Sequence, residues 1–240
     1  MTQTYSASHS AHVLGFYISI LVVVLTVITF GIAILTPPIS GANCSDSCIE
    51  YPYLDITSRF PRDYLWMYPA MVLTALVVVW MACIHAWTPE GKKVFSQIGL
   101  SFVVISAAIL IVDYFLQTYV IPSSLDNGET EGIPLLTQYN PHGIFIALEE
   151  IGYLMMSVAF LFMAPVFSRA DRLERSIRRI FGLSFCLILI AFIAITISYG
   201  VNRQDRFEVV VISIDWLVLL ANGTLVSIVF RRAMSHADSV

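Results

Sequence analysis

The chain has 240 residues, 58% of them hydrophobic and only 12% charged, with a formal net charge of −4. Soluble domains carry about 25% charged residues, so this composition excludes an ordinary soluble domain and belongs to an integral membrane protein. No nucleic-acid partner is expected of a chain with so few basic residues.

Six apolar stretches are long enough to cross a bilayer at ~1.5 Å per residue, near 13–36, 65–87, 97–121, 143–167, 180–199 and 207–230. Lipid offers unpaired backbone groups no partner, so each stretch is expected to be a helix. The chain is too uniformly apolar for a β-barrel, whose strands alternate over ~10 residues. The expected fold is all-α: a single polytopic membrane domain over 1–240, built as a six-transmembrane-helix bundle.

The first apolar run, 24 residues with no Lys or Arg before it, is too long for a signal-peptide core and is read as a retained span. The next loop, 37–64, holds Cys44 and Cys48, spaced to close a small disulfide in an oxidising compartment; two free thiols are the alternative. The loop ends in YPYLDITSRFPRDYLWMY, whose Tyr and Trp suit a headgroup layer, and its length suits a lid. In the second span His85 reads as interfacial, and Trp66, Trp80, Trp87 and Trp216 read as belt or packing residues.

The later spans carry acids in their apolar runs. On the third, Ser106, Asp113 and Gln117 share a helical face. On the fourth, His142, Glu149, Tyr153 and Ser157 do the same, with Glu150 rotated by ~100° from Glu149. On the sixth, Glu208, Asp215 and Asn222 recur at intervals of seven. Counted from the span centres, Asp113, Glu150 and Asp215 lie roughly 5–8 Å to one side of the midplane. A buried charge there costs at least ~2.5–3.5 kcal/mol, so such groups are expected to face the bundle interior or a wet cavity.

Lys92, Lys93, Arg169, Arg172, Arg175, Arg178, Arg179, Arg231 and Arg232 fall on one side of the predicted spans, and Arg59, Arg62, Arg203 and Arg206 on the other. Basic residues favour the cytoplasm, which puts both termini inside and the loops 37–64, 122–142 and 200–206 outside, in a plasma or inner membrane.

With no Lys or Arg within any span, the acids can be protonated, pair with outer-loop arginines, or bind a cation from outside. The leading expectation is a carrier or binding protein for a small cation, or a cationic or proton-coupled solute. Its site would be Asp113, Glu149, Glu150 and Asp215, with Tyr153, Gln117, Asn222 and His142 supplying further polar contacts. An intramembrane metal-dependent enzyme is one alternative: the same acids with His142 suit a divalent metal, though no cofactor is required and the single His counts against zinc hydrolysis. A non-catalytic sensor or assembly partner, homo-oligomeric or bound to another membrane chain, is the other, with the acids joining helices by hydrogen bonds.

Overall fold

The computed structural model describes the backbone of residues 2–237 and the side chains of residues 10–235. Among the described residues, six helices are long and apolar enough to cross a membrane: α1 (Thr2–Leu35), α2 (Met67–Trp87), α3 (Lys93–Phe115), α4 (Ile144–Met163), α5 (Arg172–Tyr199) and α6 (Arg206–Ala237). No strand occurs among the described residues.

The helices close into a ring in the order α1, α2, α3, α4, α6, with α5 outside it against α4 and α6. Burial reflects this arrangement: 56% of the apolar window of α4 is buried, against 17% for α5. On α5 the buried residues Ile177, Phe181, Ser184 and Ile188 form one narrow stripe at helical spacing. Phe181 reaches through the ring to stack on Phe160 and approach Trp80, and Trp80 donates its indole N–H to Ser19 Oγ of α1 at 3.0 Å. One aromatic cluster therefore ties α1, α2, α4 and α5 together at the end nearer the termini. At that end His85 Nδ1 bonds Ser96 Oγ at 2.7 Å, linking α2 to α3.

Several helices run beyond their expected bounds, α1 and α6 among them, and in α5 and α3 the departure has a local reason. α5 begins at Arg172, ahead of the span expected from 180. Asp171 caps it by accepting the Glu174 N–H at 3.0 Å, while Glu174 Oε2 reaches back to the Ser168 N–H at 2.6 Å. The Asp171 cap starts the helix early, and the Glu174 N–H holds the Asp171 carboxyl below its usual range. α3 runs past Phe115 through a widened π turn at Leu116–Val120, then a last helical stretch at Ile121–Asp126. Such a turn adds a residue and rotates the next coils of the helix about its axis.

The end of the bundle away from the termini is closed by the two long loops. Cys44 and Cys48 form a disulfide, with Cα atoms 6.0 Å apart. The start of this loop is fastened to the start of α6, since Asp205 Oδ1 accepts the Ala42 N–H at 2.8 Å. Gly41 makes that contact feasible: its φ is +74°, and a Cβ would stand 2.6 Å from Asp205 Oδ2. The two loops meet where the Tyr139 hydroxyl donates to Asp63 Oδ2 at 3.3 Å; Asp63 also accepts from Arg62 Nε at 2.6 Å. Burial, with Tyr64 and the Asp63 carboxylate adding to it, holds the Tyr139 phenol far above its ordinary range, so it remains a donor.

α3 and α4 approach closely at Gly152, where an added Cβ would lie 2.6 Å from Leu110 Cδ2. Small residues allow this proximity between apolar helices. Gly152→Val is expected to destabilise the protein by about 1–3 kcal/mol through overpacking, read as a lower unfolding midpoint in detergent micelles. Gly182→Val, where a Cβ meets nothing within 4 Å, should leave the midpoint unchanged.

Candidate functional site

A cavity of about 390 Å³ opens beneath the two loops, between the end of α1, the first turns of α6 and the first half of α4. Four carboxyl groups line it: Asp63, Glu149, Asp205 and Glu208. Among the described residues that line it, none is Lys, Arg or His. The aromatic residues Phe30, Trp66, Tyr139, Phe145 and Trp216 make up much of the remaining wall.

Asp63 and Asp205 are occupied at the rim by the contacts already given. Glu149 and Glu208 form the floor, their carboxyl groups facing each other within hydrogen-bonding reach. Glu149 Oε1 accepts the Tyr114 hydroxyl at 2.8 Å, while Oε2 is buried with no donor among the described residues. Two facing carboxylates repel each other and contain only acceptors, so the pair needs a proton or another cation between them. Asp113 stands behind this pair, within electrostatic reach of both glutamates, and its Oδ2 is likewise buried without a donor.

A chain of hydrogen bonds ends on Glu149 in particular. Trp216 Nε1 lies 3.1 Å from the Tyr153 hydroxyl, which lies 2.9 Å from that of Tyr114. An indole N–H only donates, and Tyr114 spends its one proton on Glu149. The proton of Tyr153 therefore points to Tyr114, and three donors in series converge on one carboxylate oxygen. Successive hydrogen bonds of one sense polarise each other.

The other residues singled out by sequence are placed elsewhere. Glu150 turns away from the cavity and forms an ion pair with Arg203, from the turn between α5 and α6. The Arg203 guanidinium is flanked by the rings of Phe192 and Phe207, at 5.4 and 5.5 Å. Asp215 is fully buried, with both carboxyl oxygens 3.1 Å from Ser157 Oγ, so it joins α6 to α4. Asn222 donates to the Ile177 carbonyl at 3.3 Å, joining α6 to α5. Gln117 lies in the π turn and grips loop backbone at both ends of its amide, donating to Leu136 O at 2.6 Å and accepting from Gln138 N at 2.9 Å. His142 is exposed in the turn before α4 and does not line the cavity. Among the described residues, no three His, Cys, Asp or Glu converge at metal-ligand spacing.

The expectation of one pocket shared by every intramembrane acid is thus corrected to a division among them. Glu149 faces the cavity with Asp113 behind it, while Glu150 and Asp215 bond to separate neighbours. Glu208 was not expected in the site although its stripe on the sixth span was visible, because the first turn of that span lies outside the expected layer. Asp63 and Asp205 were not expected either, because they belong to loop or helix-start positions that periodicity does not orient. No known protein family, curated protein or solved structure matches this chain.

The Glu150–Arg203 pair can be tested apart from any ligand. Arg203→Met leaves a buried carboxylate without its partner and is expected to cost about 3 kcal/mol of stability. Glu150→Gln should cost less, and the double variant should recover part of the Arg203→Met loss in a thermal-unfolding cycle. Strictly additive losses would contradict the pairing.

Proposed function

We propose that this chain is a multi-pass membrane protein that binds, and carries, a small cation or a cationic or proton-coupled solute in the cavity above Glu149 and Glu208. The observation that carries the reading is the pair of facing carboxyl groups at the floor of a cavity with no basic side chain among its described lining. A cation entering there replaces a shared proton, and Asp113 offers a nearby third carboxyl to receive one. Carboxylates held inside an apolar bundle mark ion or proton pathways in membrane proteins as a class.

The distribution of Lys and Arg supports placing the cavity mouth outside the cytoplasm, with both termini inside. The roles of Glu150 and Asp215 in this reading are those of the interhelical alternative, since each bonds a neighbouring segment and neither lines the cavity.

Two experiments test the proposal. Glu149→Gln and Glu208→Gln should each remove cation-dependent stabilisation of the purified protein, whereas Asp215→Asn should lower its unfolding midpoint yet retain the response. Full retention of the response in both glutamine variants would sink the assignment. For orientation, Asn127→Cys should react with an impermeant maleimide on intact cells and Gly91→Cys only after lysis; the reverse pattern would place the cavity on the cytoplasmic side.

A further inference from the structure

The walls of the cavity narrow the class of cation. Trp66, Trp216, Phe30 and Tyr139 border the same space as Glu149 and Glu208. Phe30 meets Trp216 edge to face at 5.2 Å between ring centroids, and Trp216 meets Trp66 at 6.2 Å. Contributed by α1, α6 and the residue before α2, these three rings make a continuous aromatic wall beside the acid pair.

An aromatic face carries negative charge density and attracts a cation, most strongly where both have lost water. A small metal ion gains little from such a wall, because it wants a shell of oxygen ligands at about 2.0–2.6 Å and the rings supply none. An ammonium carrying alkyl groups has the opposite requirement. Its charge is spread over an apolar surface that sheds water readily, and that surface can rest on rings while a carboxylate balances the charge. Size points the same way. At ~30 Å³ per water molecule, 390 Å³ is room for a small organic ion rather than for one bare metal ion. Glu149, whose side chain lines this space and whose Oε2 has no donor among the described residues, supplies the counter-charge.

We propose that the cavity binds an alkylated ammonium ion, its charged centre seated between the Glu149–Glu208 pair and the Trp66–Trp216–Phe30 wall. The inference rests on the reading of the cavity as a cation site and specifies the class of cation that fills it.

The test uses the purified full-length protein in detergent micelles at constant ionic strength. Tetramethylammonium and choline are titrated beside sodium, potassium and calcium, with tryptophan fluorescence and the thermal midpoint as readouts. The alkylated ions are expected to bind at least about tenfold more tightly than any of the metal ions. Trp66→Leu should weaken choline binding about tenfold, as should Phe30→Leu, which covers the case in which the first variant fails to fold. Glu149→Gln should remove the binding altogether. Metal ions that bind as well as choline, or folded leucine variants with unaltered choline affinity, overturn the ammonium assignment and leave a cation site standing. No saturable response to any of the five ions overturns both readings.

Discussion

Three donors in series, from Trp216 through Tyr153 and Tyr114, end on a single oxygen of Glu149. The series spans α6, α4 and α3, so the group at the cavity floor is held by the packing of three helices. A side chain as long as Glu has several rotamers open to it, and a fixed hydrogen bond at its tip removes most of that freedom. The carboxyl group, whose other oxygen has no donor among the described residues, is thereby held close to Glu208. Close packing at Gly152 and Leu110 sets the spacing of α3 and α4 on which the Tyr114 contact depends. Moving any of the three helices would disturb the position of the charge.

The acids of the bundle thus divide between two kinds of work, and geometry decides which. Glu149 and Glu150 are neighbours in sequence but point ~100° apart on a helix. One faces the cavity, and the other faces Arg203 with aromatic rings on either side. The ion pair offsets part of the desolvation of both partners and anchors the turn that leads into α6. Two turns along α6 from Glu208, Asp215 is bonded to Ser157 and has no border on the cavity. Carboxyl groups at similar depth can therefore serve different purposes, and depth alone does not distinguish them.

The same distinction governs how much of the molecule was legible in its sequence. Apolar length located all six helices, because a run that long has few other ways to satisfy its backbone. The spacing of Cys44 and Cys48 anticipated their disulfide. Helical periodicity identified the polar faces, yet it failed at Gln117, where the π turn rotates the chain away from the face shared with Asp113. It also could not show that Trp66 and Trp216, read as packing residues, border a cavity, or that two loops distant in sequence meet at Tyr139 and Asp63. These features depend on contacts between remote segments. The early start of α5 is different: Asp171 caps it through the Glu174 N–H, a local signal outweighed by the charge of the segment around it.

The widened turn in α3 has a mechanical corollary. Gln117 holds the backbone of the loop at Leu136 and Gln138, and it sits only four positions beyond Asp113 on the same continuous rod. The loop that roofs the cavity cannot lift there without breaking both clasps of that amide. The clasp that fixes this loop and the third carboxyl behind the floor are consequently built into adjacent coils of one helix, so the roof and the charge share a single support.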